Sequence, residues 1–231
     1  MMVKANIAAE TGFLRVAGFA GIGFAAVIVL ANVVLVPSGL PPTGAGIAEV
    51  VEFFGAHQNA LAAASALMPA AWVLALVFGA GLLSAVRRRG HEGWALVGFA
   101  GLVLQNGAFA GVAAIRLALP TAEGAVTALW ALHDALFTLN GVFLATAMVG
   151  FSASGLSAGL IARWQAWLGF VSAALLFCSA TLTPLVIDHT GPLGLLGLAG
   201  WLMWVVWLVA CGAALVVEKR ITTTPGGGSG C

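Results

Sequence analysis

Three of the four histidines, His57, His133 and His189, stand at the ends of long apolar runs, and Asp134 and Asp188 stand directly beside two of them. Imidazoles and carboxylates move protons, ligate metals and hold polar ligands. At a membrane boundary each of them needs a partner, water or a function. If successive runs cross a membrane, all five residues open on the same side. Arg116 closes the third run on that side too. A carboxylate costs about 2.5–3.5 kcal/mol at the centre of a span and less near its end, so an Arg116–Asp134 ion pair is the expected partnership. Asn140 follows His133 by seven residues on one helical face and extends a polar track inward. Gln105 and Asn106 lie in the middle of the third run. Adjacent amides there either bond to neighbouring helices or form the floor of a cavity that opens toward the histidines. Gln58 follows His57 at the start of the second run, with Asn59 as a candidate N-cap.

Two chemistries compete for these residues. One is a ligand-binding set: His57, Gln58, Gln105, Asn106, Arg116, His133, Asp134, Asn140, Asp188 and His189. The other is a metal centre, since three histidines with two aspartates match the ligands of zinc, copper or iron. His57, His133 and His189 would then be the metal ligands. No HxxxH, HExxH or ExxH spacing accompanies them, so such a centre would depend on tertiary convergence. Paired histidines also ligate haem, but these lie at the rim of the runs rather than facing each other inside them. No cofactor is expected, with a metal ion or haem as the alternative. Catalytic Ser/His/Asp order, a phosphate loop and a nucleotide fingerprint are all missing from the sequence. Cys178 and Cys211 lie within apolar runs, Cys231 is the last residue, and no CxxC pair occurs.

The elements that must position these groups follow from composition. The chain is 61% hydrophobic and only 7% charged, where soluble domains carry about 25% charged residues. So little charge cannot cover a water-facing surface. Six apolar runs, at about 14–36, 60–85, 94–115, 129–150, 166–187 and 193–217, each match the roughly 20 residues that cross a bilayer. They are continuous rather than alternating, which favours helices over barrel strands. The expected fold is an all-α integral membrane protein, a six-transmembrane-helix bundle formed by a single domain over 1–221. Residues 222–231 form a flexible Gly/Ser tail with the composition of an appended linker. The first run is too long for a signal-peptide core and reads as a retained helix.

Connections fall at 37–59, 86–93, 116–128, 151–165 and 188–192. Eight of the nine basic residues then share one side: Lys4, Arg15, Arg87, Arg88, Arg89, Arg163, Lys219 and Arg220. Basic residues stay on the cytoplasmic side, so both termini are expected in the cytoplasm of a plasma (inner) membrane protein. Within the longest connection, Ile47, Val50, Val51, Phe53 and Phe54 alternate with Glu49 and Glu52, as in a short amphipathic helix on the outer interface.

A faint repeat runs through the chain. Gly18-Phe19-Ala20-Gly21, Gly98-Phe99-Ala100-Gly101 and Gly169-Phe170-Val171-Ser172 open the odd-numbered runs, each with a proline about twenty residues on (Pro37, Pro120, Pro192). Read as a repeat, they make three helical hairpins inserted in the same sense, a parallel arrangement. In so biased a composition, Gly-Phe-Ala also recurs by chance. Trp201, Trp204 and Trp207 form a stripe on the last run, expected to face lipid or another subunit before a cofactor.

Net charge +1 and the lack of a basic stripe exclude nucleic acid as a partner. The lipid bilayer is a partner, joined by further copies or other membrane subunits. Three functions fit. The first is an outward-facing polar His/Asp/Arg pocket that binds or transports a small ligand, ion or proton. The second is an accessory or structural subunit of a larger complex. The third, least favoured because minimal loops leave little catalytic machinery, is a metal- or haem-binding membrane enzyme or redox subunit.

Overall fold

A computed structural model of the chain describes residues 2–122, 124–187 and 193–217, with side chains from residue 12 onward. Asp188 and His189 lie outside the described residues, as do Glu123, Lys219, Arg220 and the 222–231 tail. Every regular element among the described residues is helical: α1 (Met2–Leu35), α2 (Ile47–Ala56), α3 (Gln58–Arg87), α4 (Glu92–Ala118), α5 (Val126–Ser157), α6 (Arg163–Thr181), α7 (Thr183–Ile187) and α8 (Gly194–Val217). A 3-10 turn, Leu119–Thr121, extends α4. Six helices are long and apolar enough to cross a membrane, as expected of a multi-pass membrane protein: α1 from Gly12, α3, α4 with its 3-10 turn, α5, α6 and α8.

The fifth apolar run is not one helix. It breaks at Leu182 into α6 and the short α7. Pro184 is the cause, because it lacks the N–H that a continuous helix would give to the Ala180 carbonyl. The Thr183 hydroxyl takes that carbonyl instead. At the other end of the chain's longest connection, α2 forms where its alternating sequence predicts. Its apolar face differs from expectation: Val50, Phe53 and Phe54 are buried against protein rather than lipid. They join Ala31, Leu35, Leu61, Ile115 and Trp130 in an apolar cluster that closes one end of the bundle.

The six long helices form a ring. Each packs on its neighbour in the order α1, α3, α4, α5, α6, α8, and α8 returns to α1, while contacts across the ring are few. Glycine occurs at each of these junctions. A methyl group at Gly212 would fall 2.7 Å from the Gly18 carbonyl oxygen, so α8 and α1 meet backbone to backbone. At Gly101 it would meet the Ala147 nitrogen at 2.6 Å, and at Gly150 it would collide with the backbone of Gly98, which brings α4 against α5. Gly81 abuts Ala17, Gly79 abuts Leu102, and Gly141 and Gly200 abut α6. Small residues are how helices associate in lipid, where no hydrophobic drive distinguishes a helix neighbour from an acyl chain. The Ser172 hydroxyl adds a 2.7 Å bond to the Gly200 carbonyl.

One half of the ring is filled. Phe78 meets Trp207 edge-on at 6.2 Å, Phe151 stacks on Trp207 at 6.4 Å, and Leu82, Met148 and Leu208 complete a close-packed plug. The tryptophan stripe therefore faces inward, not toward lipid: Trp204 and Trp207 are buried and Trp201 is half-buried. The lack of a side chain at Gly169 makes room for the Trp207 indole, whose Nε1 would lie 3.0 Å from a methyl group there. Trp94, Trp164 and Trp167 are exposed, as an aromatic belt requires, whereas Trp130 is buried under α2. At the plugged end, the Arg89 guanidinium donates to the Ala158 carbonyl at 2.6 Å. This ties the α3–α4 connection to the C-terminus of α5.

A methyl group at Gly150 has only backbone to displace, so Gly150→Ala should cost about 1–3 kcal/mol, the usual range for overpacking. Gly107, also on α4, has open space around it, and Gly107→Ala should be neutral or slightly stabilising. Thermal unfolding of both variants in one detergent checks this. Equal melting temperatures would contradict the close α4–α5 junction.

Candidate functional site

The unplugged half of the ring encloses a cavity of about 580 Å³. That volume lies within the range of small-molecule sites, roughly 300–1,000 Å³. Phe24 and Trp204, which meet edge-on at 5.6 Å, lie at the boundary with the plug and form its floor. Its end nearest α2 is termed the mouth. The strap between α1 and α2 crosses there and contributes Val36, Leu40, Pro41, Pro42 and Thr43 to the lining. Two glycines with positive φ, Gly39 at 86° and Gly44 at 78°, give the strap its turns.

His133 and Asp134 are buried at this mouth, each 2% exposed. The Asp134 carboxylate is held on both oxygens. Oδ1 lies 2.9 Å from His133 Nδ1, and Oδ2 accepts the backbone N–H of Gly44 at 2.6 Å. On the far side of the imidazole, Arg116 Nε donates to His133 Nε2 at 2.9 Å. Because Nε2 accepts, the ring proton sits on Nδ1, and the imidazole is neutral and donates to Asp134. The result is one hydrogen-bonded chain from guanidinium through imidazole to carboxylate, ending on the strap. The expected Arg116–Asp134 pair is therefore not a direct bridge. The imidazole stands between the two charges and links them.

Aromatic rings fix that imidazole. His133 stacks on Trp130 at 4.4 Å and on Phe137 at 5.9 Å, with interplanar angles of 9° and 4°. The spacings i−3 and i+4 place all three on one face of α5. The Arg116 guanidinium lies over the Phe137 ring, 5.8 Å from its centroid, a cation–π geometry. With both nitrogens of His133 engaged, no lone pair remains for a metal. Among the described residues no three His, Cys, Asp or Glu side chains converge as a metal site.

The candidate residues divide into two groups. Arg116, His133, Asn140, Gln105 and Asn106 all line the cavity, and Asp134 stands just behind its wall. His57 and Gln58 do not line it. His57 stacks on Phe53 at 4.8 Å, its Nδ1 lies 3.2 Å from the Phe53 carbonyl, and it supplies the N-cap position of α3 that Asn59 was expected to fill. Gln58 is exposed.

Deeper in the cavity, three carboxamides carry atoms with no protein partner: Gln105 Oε1, Asn106 Nδ2 and Asn140 Oδ1. These residues are 6%, 8% and 7% exposed. A buried polar atom left unmet costs about 1–3 kcal/mol, so groups placed this way are met by whatever occupies the cavity. Rotating a terminal carboxamide exchanges donor for acceptor, so the belt serves either sense. On the neighbouring α3, Pro69 lacks an N–H and leaves the Ser65 carbonyl without its helical partner, beside a cavity that Ser65 itself lines.

Sequence reasoning missed Gly44, Phe137 and Ser65. Phe137 had a signal, standing four residues after His133. Gly44 acts through its backbone and had none. No family model, curated protein or solved structure matches the chain.

Removing the carboxylate tests the network. Asp134→Ala strips the acceptor from His133 and Gly44 and leaves Arg116 without a counter-charge, a loss of about 3–5 kcal/mol when a buried pair is broken. The expected outcome is a lower melting temperature together with faster hydrogen exchange at the Gly44 amide. Unchanged exchange at Gly44 would show that the strap does not depend on Asp134.

Proposed function

We propose that this chain is a membrane protein that binds a small ligand in the central cavity of its six-helix ring, with access from the outer face through the strap-covered mouth. One observation carries the reading. Three buried carboxamides on two adjacent helices of the cavity wall, Gln105 and Asn106 on α4 and Asn140 on α5, hold unpartnered polar atoms, in a space large enough for a small molecule. A purely structural bundle in lipid gains nothing from such groups, whereas a binding site needs a few convergent polar atoms in an apolar cleft. Apolar lining by Ile28, Leu61, Met68 and Trp72 supplies the rest of that cleft. In this reading the arginine-rich end is cytoplasmic, with both termini there and the hairpins inserted in the same sense, because the basic residues concentrate at that end. Transport of the ligand is an extension of the same site, as the plug of Phe78, Phe151 and Trp207 would have to part for passage.

Cysteine labelling tests access and orientation together. In a background with Cys178, Cys211 and Cys231 changed to alanine, Ser65→Cys and Thr43→Cys should react with a small membrane-impermeant thiol reagent added outside. His91→Cys should react only after permeabilisation. A Ser65→Cys thiol that reacts from neither side would overturn the cavity reading, and the reverse pattern would invert the orientation.

A further inference from the structure

The charges on the cavity wall narrow the ligand. We propose that the cavity takes an amphiphile with two polar points: an oxyanion held by Arg116 at the mouth and a neutral hydrogen-bonding group held by Gln105, Asn106 and Asn140 below it, joined by an apolar spacer. This rests on the cavity being a binding site.

The first argument is the sign of the wall. Among the described lining residues Arg116 is the one formally charged side chain, since His133 is neutral in its hydrogen-bonded form. The Asp134 carboxylate does not line the cavity, and both its oxygens are engaged by His133 and Gly44. Among the described residues a cationic ligand would find no anion on the wall, while an oxyanion finds a guanidinium.

The second argument is the state of that guanidinium. Its Nε is spent on His133, but no carboxylate among the described residues forms an ion pair with it. The two terminal nitrogens keep their N–H donors, and their planar fork matches the two oxygens of a carboxylate or phosphate. His133 on one edge and Phe137 beneath the plane hold that fork in place, so little rotamer freedom is lost on binding. Asp134 moderates the positive charge through the imidazole without competing for the ligand.

The third argument is spacing. Asn140 follows His133 by seven residues along α5, about 10 Å of helix rise. Gln105 and Asn106 precede Arg116 by eleven and ten residues along α4, about 15 Å. A ligand that satisfies both the guanidinium and the carboxamides must carry its two polar groups roughly 10–15 Å apart, by the same helix rise. Between them the wall is apolar, with Phe109 and Ala113 on α4 and Phe137 on α5.

The test uses five matched probes on the full chain in lipid nanodiscs: 12-hydroxydodecanoate, its methyl ester, unsubstituted dodecanoate, 12-aminododecan-1-ol as the cation, and the 12-carbon phosphate monoester. Binding is read as protection of the Ser65→Cys thiol from labelling. The hydroxy acid should protect at a concentration at least about 10-fold lower than the ester, the amine or plain dodecanoate, the effect expected of one charge-assisted or one buried hydrogen bond. Arg116→Gln should erase the advantage of acid over ester and keep that of hydroxyl over none. Asn140→Leu should do the reverse. The comparison of acid with ester needs no change at Arg116, so it stands even if Arg116→Gln fails to fold. An ester or amine that protects as well as the acid overturns the oxyanion assignment while the cavity remains a binding site. A Ser65→Cys thiol inert to reagent in the absence of any probe removes the cavity and this inference together. If 12-carbon phosphate monoesters protect better than the acids, the oxyanion is a phosphate and the assignment to Arg116 holds.

Discussion

Close backbone approach between neighbouring helices is the constraint on which the rest of this structure depends. In lipid the drive to bury apolar side chains is weak, and helices hold together where their surfaces can come near. Glycine provides that nearness at every junction of the ring, with backbone directly against backbone where Gly98 meets Gly150 and where Gly18 meets Gly212. Six helices joined edge to edge in this way close on themselves. The centre of such a ring must be filled by large side chains or left as a cavity. Here both happen: Phe78, Phe151 and Trp207 fill one half, and the other half stays open.

The open half brings a problem of charge. Arg116 and Asp134 both sit where solvation is poor, and either alone would be costly. The structure resolves this by inserting a neutral imidazole between them, clamped by Trp130 and Phe137. The chain of bonds does more than neutralise. Its last member is the Gly44 amide, so the same network that tolerates the charges also fastens the strap across the mouth. Order in the connection between α1 and α2 is thereby coupled to the wall of the cavity.

Layering along the cavity gives the site its character. Charge lies at the mouth, carboxamides at mid-depth and aromatic rings at the floor. A lining of this kind would orient an elongated guest rather than merely contain it. The conflict between local and global preference is sharpest at Gln105, Asn106 and Asn140, where polar groups are buried without protein partners. Such departures from a satisfied core are where function is expected.

Much of this was legible in the sequence. Run length and low charge determine six apolar helices, because a bilayer demands about 20 residues per crossing and backbone groups satisfied within each span. The alternation of apolar and acidic residues determines α2. The polar residues within apolar runs marked Arg116, His133, Asp134, Asn140, Gln105 and Asn106 as candidates, since groups so placed require a reason. Other features depended on which residues meet across the bundle. Helical period shows that Trp201, Trp204 and Trp207 share a face, but not which way the face turns, because an apolar surface suits lipid and protein interior alike. The sequence put both His57 and His133 near the start of a run, with His133 about one turn further in and harder to explain as surface. Only the packing of α2 set one on Phe53 and the other inside the cavity's charged mouth. The link from Asp134 to Gly44 was beyond sequence reasoning altogether. A backbone amide 90 residues away in the chain carries no side-chain signal, and its role exists only once the ring has closed and the strap has crossed it.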